Sequence, residues 1–234
     1  MAQEFDQYSK NYKTLLDETL KSTGFDADFF VAAKLKKLAR LFPGLCDKPI
    51  QFLDFGCGNG ALYKNLAQFF PQAQYTGTDL SDDMVKEARC LCEAADVFFE
   101  IESEAWKQKT YDLIFIANVF HHTAKTAHKK ILRELRSLLK KNGTLILWEH
   151  NPINPFTRKI VRDCIFDKDA ELIAPAEMKR LFRAAGFSRV KIIFTTFFPK
   201  SLSFLISLEN HLERCPLGGQ YITLGENPQP QETS

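Results

Sequence analysis

The residues best suited to chemistry in this chain form a glycine-rich turn, LDFGCGNG at 53–60. The turn follows a short apolar run, IQFLDF at 50–55, and precedes a segment with helical periodicity. Gly56, Gly58 and Gly60 remove side chains where the chain turns tightly and where a ligand must touch backbone. A helix that starts there points free N–H groups at that ligand. The spacing therefore predicts a ligand-binding turn between a strand and a helix.

A carboxylate follows at the corresponding point of the next predicted strand, QYTGTD at 74–79. Asp79 in that position suits the two hydroxyls of a ribose, so the turn and the acid together predict a site for an adenosine-type nucleotide or nucleoside. The pattern Gly56-x-Gly58-x-x-Ala61 also satisfies the loose dinucleotide motif, which keeps a nicotinamide cofactor open. The sequence contains no Gly-x-x-x-x-Gly-Lys-Ser/Thr motif, which argues against hydrolysis of a nucleoside triphosphate.

Three of the five histidines end predicted strands: His121 and His122 the fourth, and His150 the fifth. Ligands of parallel sheets bind at the carboxyl ends of strands, so these histidines are candidates for proton transfer, with Glu149 as a competing base. An unperturbed imidazole titrates near pH 6.5 and is largely neutral at pH 7. We expect no metal at His121 and His122, because adjacent residues on a strand point apart.

The remaining histidines have structural explanations. His128 lies on a predicted amphipathic helix, and we expect it at the solvated surface. His211 lies near the end of a predicted helix, where a positive charge is favourable.

The elements around these residues alternate. Apolar runs predict strands at 50–55, 74–79, 96–101, 111–120 and 144–150, with helices at 61–70, 81–95 and 124–141 between them. Such alternation predicts a parallel α/β sheet. A sixth strand at 188–198, a helix at 201–213 and a final strand at 218–225 follow, the last pairing antiparallel with the sixth at the sheet edge. The predicted fold class is α/β, with seven mostly parallel strands, helices on both faces and the last strand antiparallel.

Segments outside this pattern define the domain organisation. Residues 1–47 are predicted to be a helical lid or cap, and 48–226 the main domain. Residues 151–175 begin with NPINP and have no clear period, which predicts an insertion. Residues 227–234 are polar and rich in proline, which predicts a flexible tail.

Composition excludes several functions. The 234 residues include 31 basic and 29 acidic side chains, and a net charge of +2 is too small to predict nucleic-acid binding. The six cysteines lack metal-binding spacing, and the first residues do not resemble a leader peptide. The most apolar stretch, 192–208, is interrupted by Pro199 and Lys200, so we expect no transmembrane segment. These features predict a cytoplasmic protein with reduced thiols.

The glycine turn resembles the first motif of class I, Rossmann-like S-adenosylmethionine-dependent methyltransferases, (V/L)LDxGCGxG, which Leu53 to Gly60 match. Asp54 belongs to that motif and not to the dinucleotide one. TGTDLSDDMVKEA at 76–88, YDLIFIANVFHH at 111–122 and KKNGTLIL at 140–147 are similar to later parts of the family's pattern. The resemblance covers residues 50–150 well, and the N-terminal FDQYSKNYKTLLDE is similar to the lid of many such enzymes.

The resemblance implies S-adenosyl-L-methionine as the cofactor. Asp54 and the three glycines, Gly56, Gly58 and Gly60, would then border its methionine and ribose parts. Asp79 would bind both ribose hydroxyls, and Leu80 would lie against the adenine.

Three further cofactor contacts are implied by the resemblance. Glu102 and Ser103, where many members have an Asp-Ala pair, would read the adenine edge. Asn118 would present its backbone to the methionine part. Tyr8 and Tyr12, four residues apart, would close over the cofactor, unless they serve only to pack a helix.

The acceptor half is less determined. The insertion at 151–175 lies where this family often builds its acceptor pocket. Arg158 and Arg162, four residues apart, suit an anionic group or form a plain solvated face, and the insertion mixes them with apolar side chains such as Phe156 and Ile160. We therefore expect a small-molecule acceptor, anionic or amphipathic, methylated on oxygen or nitrogen, with His150, Glu149 or His121 as the catalytic residue.

Two other functions stay open at this point. One is a nicotinamide-dependent oxidoreductase, against which the sequence offers no Tyr-x-x-x-Lys pair. The other is a non-catalytic module that binds S-adenosylmethionine and regulates a partner.

Overall fold

The seven strands form one sheet in a computed structural model that describes residues 12–167 and 169–228. Their order across the sheet is β3-β2-β1-β4-β5-β7-β6. The first five strands pair in parallel, and β7 pairs antiparallel with both β5 and β6. The strands are β1 (Gln51–Phe55), β2 (Gln74–Asp79), β3 (Phe98–Glu100), β4 (Tyr111–Ala117), β5 (Leu139–His150), β6 (Ser188–Thr195) and β7 (Gln220–Glu226). The predicted fold class is confirmed.

Helices connect the parallel strands. The α-helices are α1 (Tyr12–Leu20), α2 (Ala27–Leu41), α3 (Ala61–Leu66), α4 (Asp82–Cys92), α5 (Lys125–Ser137), α6 (Pro155–Asp163) and α7 (Pro175–Ala184). Short 3-10 helices lie at Lys21–Thr23, Pro43–Leu45, Ala95–Val97, Phe120–His122, Ile165–Asp167 and Lys200–Asn210. Caps explain several starts: Ser81 accepts a hydrogen bond from the Met84 N–H at the start of α4, and Asn154 accepts from Phe156 and Thr157 at the start of α6.

The central strands are buried on both faces, which is why they read as continuous apolar runs. Residues such as Phe52, Phe115 and Ile146 pack one side of the sheet, and Leu53, Ile114 and Leu147 pack the other. The parallel register aligns the carboxyl ends of β1, β2, β4 and β5. The glycine turn, Asp79, Asn118 and His150 therefore meet along one edge of the sheet.

Some predicted boundaries are wrong. β7 lies between β5 and β6, so it is an interior strand and β6 forms the edge. The predicted helix at 124–141 ends at Ser137, because β5 already begins at Leu139 and continues through Asn142, whose φ is +62°. The predicted helix at 201–213 is a kinked 3-10 segment over Lys200–Asn210.

The N-terminal helices and the predicted C-terminal tail both lie outside the sheet. α1 and α2 form the described part of the N-terminal cap, and its separation from the main domain at residue 47 stays a prediction. The predicted tail is fixed at its start, because Asn227 donates from its side chain to the carbonyls of Leu139 and Lys140; residues 229–234 lie outside the described residues. Within the described ranges, no helix is long and apolar enough to span a membrane.

Candidate active site

A cavity of about 1830 Å³ opens over the carboxyl ends of the parallel strands. Its walls come from the glycine turn, the N-terminal helices, the insertion and the segment after β6. Small-molecule sites typically occupy about 300–1,000 Å³, so this cavity has room for more than one ligand.

The glycine turn lines this cavity with backbone. Gly56 and Gly58 have φ of +81° and +52°, and the N–H groups of Gly56 and Cys57 both donate to the Thr78 carbonyl. A Cβ on Gly56 would collide with Val119, whereas a Cβ on Gly58 would meet no atom within 4 Å. Gly58 therefore leaves open space in which a ligand could lie against the main chain, and its role in cofactor binding stays a prediction.

Gly60 has a different role from the one predicted. It does not line the cavity, and a Cβ there would lie 2.7 Å from Cys92 Sγ and 2.9 Å from Phe98. Gly60 thus allows the start of α3 to pack closely against α4 and β3.

Asp79 lies where β2 ends, at the cavity wall beside Leu80. Its carboxylate accepts hydrogen bonds from the backbone N–H of Gly58 at 2.8 Å and of Ser81 at 3.0 Å. Each carboxylate oxygen has further lone pairs, so the group fits the two hydroxyls of a ribose while it holds the turn in place.

Asp54, also on the cavity wall, is 4% exposed and accepts a hydrogen bond from the Tyr75 hydroxyl at 2.8 Å. Burial raises its pKa to about 7, although Tyr75 and the charge of Lys34 oppose the shift.

The predicted adenine contacts are only partly assembled. Glu102 is exposed, and neither Glu102 nor Ser103 lines the cavity. The chain turns away after β3, and the wall at this point consists of Ile101 and Trp106, near Leu80. Lys107 from the same segment also lines the cavity, so one basic and two apolar side chains take the place of the predicted polar contacts.

Two polar groups on the same wall lack a partner. Asn118, at φ +57°, follows β4, and its buried Oδ1 makes no hydrogen bond with the described residues. Lys34 on α2 also lines the cavity and makes no hydrogen bond or ion pair within residues 12–167 and 169–228. Burial lowers the pKa of Lys34 to about 8, against the opposing charges of Asp54 and Glu149. A hydrogen-bond donor would satisfy Asn118 Oδ1, and an anionic group would satisfy Lys34.

Sequence reasoning missed Lys34, because nothing in the helix pattern distinguishes it from Lys36 and Lys37. The predicted lid tyrosines cannot be compared: Tyr8 and the side chain of Tyr12 lie outside the described residues.

The histidines at the strand ends form one cluster with two carboxylates. His121 and His122 lie in a 3-10 turn and not on a strand, so their rings do not point apart as predicted. Their Nε2 atoms lie 3.3 Å and 3.2 Å from the same oxygen of Asp167. Asp167 was not among the predicted residues, because it reaches the strand ends only through the folding of the insertion.

Glu149 is buried behind this cluster. It accepts hydrogen bonds from the Phe120 N–H at 2.8 Å and from His121 Nδ1 at 2.5 Å, and it does not line the cavity. Burial alone would raise its pKa, but His121 outweighs this effect and the pKa is lowered. Burial alone would likewise lower the pKa of His121, yet the two carboxylates raise it to about 10. Both residues are placed to position other groups rather than to touch an acceptor.

His150 faces the cavity, together with His122 and Asp167. Burial, and then the charge of His121, lower the pKa of His150 to about 4, so the expectation of an unperturbed imidazole is wrong.

The prediction that His128 lies at the surface is also wrong, since its side chain is buried at 2% exposure and its Nε2 contacts the carbonyls of Phe120 and Thr123. His211 is exposed, and Arg158 and Arg162 are exposed on α6 outside the cavity wall.

Comparison with known proteins agrees with this geometry. Residues 53–145 match a family model described as a methyltransferase domain. Malonyl-[acyl-carrier protein] O-methyltransferases are similar over part of the chain. The one from Halalkalibacterium halodurans is 35% identical over 113 residues, which are 45% of this chain and 41% of that protein. The one from Legionella pneumophila is 28% identical over 120 residues, which are 44% of this chain and 37% of that protein. The chain thus spans about two fifths of the length of these relatives.

Solved structures share the fold over nearly the whole chain. A S-adenosylmethionine-dependent methyltransferase from Archaeoglobus fulgidus superimposes with a TM-score of 0.66 at 18% identity, covering 92% of this chain and 100% of that one. A possible histamine N-methyltransferase from Thermotoga maritima gives 0.67 at 17% identity, covering 97% and 99%.

Fold and site together define a class I, Rossmann-like methyltransferase domain. Residues 53–145 match the methyltransferase domain family, and the fold of the chain is the one that the solved S-adenosylmethionine-dependent methyltransferases share.

Proposed function

We propose that this chain methylates an oxygen atom of a small or acyl-chain acceptor. The observation that carries the proposal is the cavity itself, which joins the glycine turn to the cluster of His122, His150 and Asp167. A ligand along the turn and a second ligand at the cluster would thus share one space. The names of the O-methyltransferase relatives support oxygen as the acceptor atom, and their acyl-carrier substrates support an acyl chain.

The cofactor half would be held by residues already described. Asp79 would accept from the ribose hydroxyls, Asn118 from the methionine ammonium, and Lys34 would bind the methionine carboxylate. When bound, S-adenosylmethionine supplies a methyl group on a sulfonium, which an acceptor lone pair can displace without a covalent enzyme intermediate.

The remaining task of the protein is to position the acceptor. Asp167 and His150 face the cavity and can accept a hydrogen bond from an acceptor hydroxyl, which would orient one of its lone pairs. Glu149 and His121 would hold this pair in place from behind. Aromatic side chains of the cap, Phe25, Phe29 and Phe30, line the same cavity and suit an apolar part of the acceptor.

A two-stage experiment tests the proposal. Calorimetry with S-adenosylhomocysteine first checks cofactor binding. Release of S-adenosylhomocysteine from S-adenosylmethionine is then measured with matched acceptors that carry a hydroxyl, a carboxylate or an amine on the same acyl chain. We expect turnover with an oxygen acceptor. Binding without turnover on any of them would favour the regulatory module, and turnover on the amine alone would refute oxygen as the acceptor.

A further inference from the structure

The cluster at the ends of β4 and β5 contains three side chains that could bind one metal ion. A ring nitrogen of His121, a ring nitrogen of His150 and a carboxylate oxygen of Asp167 all lie within 4.8 Å of one another. Ligand atoms at about 2.0–2.2 Å from a zinc ion lie at most roughly 4.4 Å apart, so the most distant pair needs to close by at most about half an ångström. We propose that His121, His150 and Asp167 form a binding site for a divalent transition-metal ion.

The state of His121 supports this site independently. Its side chain has no exposed surface, and its Nε2 makes no hydrogen bond with the described residues, although Asp167 Oδ1 lies 3.3 Å away. Its other nitrogen, Nδ1, is bonded to Glu149 at 2.5 Å. Histidines that ligate metals usually donate their second ring N–H to a carboxylate, which fixes the tautomer and directs the free nitrogen at the metal. The Glu149–His121 pair has this arrangement.

Three separate parts of the fold bring the ligands together. His121 lies in the turn after β4, His150 ends β5, and Asp167 ends the 3-10 helix after α6. A hydrogen bond from the Glu171 N–H to the His121 carbonyl, 2.8 Å long, attaches the insertion that carries Asp167 to the turn after β4. The ligand positions are thus fixed by backbone contacts as well as by the side chains.

The donor set defines the class of ion. Two imidazoles and one carboxylate suit Zn²⁺, Co²⁺ or Fe²⁺ better than Ca²⁺ or Mg²⁺, which prefer oxygen ligands. His150 and Asp167 line the cavity while His121 lies behind them, so open coordination positions would face the acceptor. On the proposed function, an acceptor hydroxyl would coordinate there, lose its proton to water and present an oxygen of raised nucleophilicity to the methyl group.

Cobalt is the first probe. The full chain, treated with chelator, is titrated with Co²⁺ and followed by visible absorption, and the affinity for Zn²⁺ is measured by calorimetry. We expect one ion per chain. His150→Ala and Asp167→Asn should each weaken binding at least about tenfold, and Glu149→Gln, which removes only the outer contact, by about 10–100-fold. His211→Ala changes an exposed histidine outside the cluster and should leave the affinity unchanged.

Several results would overturn the inference. One is unchanged affinity in His150→Ala and Asp167→Asn, provided that S-adenosylhomocysteine still binds and so shows that the variants are folded. Another is a thiolate-to-cobalt band in the near ultraviolet, since the chain has six free cysteines that could bind the ion instead. A third is the absence of binding. If methyl transfer persists in chelator while no ion binds, the metal site is refuted and the proposed methyltransferase stands.

Discussion

Replacing Lys34 with methionine should weaken the cofactor in a way that identifies which part of it the lysine binds. Lys34 projects from α2 into the cavity and has no ion-pair partner among the described residues. Methionine keeps the apolar stem of the side chain and removes the ammonium with its charge and its hydrogen-bond donors. The change therefore tests whether the ammonium binds the methionine carboxylate.

The magnitude follows from the bond that is lost. A hydrogen bond to a charged group contributes about 1.5–3 kcal/mol, and 1.4 kcal/mol corresponds to a factor of ten in affinity. The Kd of S-adenosylhomocysteine should therefore rise by about 10–100-fold in Lys34→Met. The free energy of unfolding should stay the same or increase, because the unliganded protein loses a partly buried charge that has no direct partner.

Methylthioadenosine provides the matched ligand, because it retains the adenosine and the sulfur and lacks the amino-acid carboxylate. Calorimetry should show that its affinity is nearly the same in wild type and Lys34→Met. Lys129→Met is the matched variant, since it makes the same substitution at an exposed position of α5 that does not line the cavity. An equal loss for both ligands, or an unchanged affinity for S-adenosylhomocysteine, would refute the assignment.

The pH dependence gives a second readout. The pKa of Lys34 is lowered to about 8, mainly by burial. The ammonium is charged below that pH and is lost above it, so the affinity of wild type for S-adenosylhomocysteine should fall as pH rises through about 8. Lys34→Met should lack this component, and any fall that remains in the variant belongs to the ligand's own amino group.

Other parts of the site make further predictions. Asp79→Ala should weaken both S-adenosylhomocysteine and methylthioadenosine at least about tenfold by calorimetry, because the ribose is common to them; a loss confined to one ligand would contradict a ribose contact. His150→Ala should retain cofactor affinity and lower turnover by about two orders of magnitude, measured as release of S-adenosylhomocysteine; a fall below about tenfold would make His150 a packing residue. Gly60→Ala should lower the free energy of unfolding by about 1–3 kcal/mol in denaturant titration, and by more than Gly58→Ala, because only its Cβ meets packed atoms. Residues 12–23, if they act as a lid, should gain protection from hydrogen exchange when S-adenosylhomocysteine binds, and equal protection in both states would mean a packed wall.

The placement of the glycine turn beside Asp79 could be predicted because it depends on short-range sequence. The turn at 53–60 and Asp79 end adjacent parallel strands, so alternation of strand and helix is enough to bring them together. Gly60 was assigned to the ligand because spacing alone does not show which glycine faces a cavity and which faces a neighbouring helix. Glu102 and Ser103 were misplaced because the path of the chain after a three-residue strand depends on packing rather than on pattern.

The acceptor half depends on contacts between distant residues, which a single sequence does not show. Asp167 reaches His121 across more than forty residues of chain, through the folding of the insertion. The protonation state of a buried side chain also cannot be predicted from residue type alone. His150 and His121 have the same side chain, yet their pKa values are shifted in opposite directions, because only His121 lies between two carboxylates.

The two polar groups without partners on the cavity wall bear on the choice of cofactor independently of any motif. A buried amide oxygen and a partly buried ammonium both cost free energy unless a ligand satisfies them. Asn118 Oδ1 needs a donor, and Lys34 needs an anion. The amino-acid end of S-adenosylmethionine offers an ammonium and a carboxylate on one carbon, so one ligand group can meet both needs. A nicotinamide dinucleotide has phosphates for the lysine but carries no such zwitterion, and the glycine turn alone could not distinguish the two. If Lys34 binds the carboxylate of the cofactor, its loss should weaken S-adenosylhomocysteine and leave methylthioadenosine unaffected.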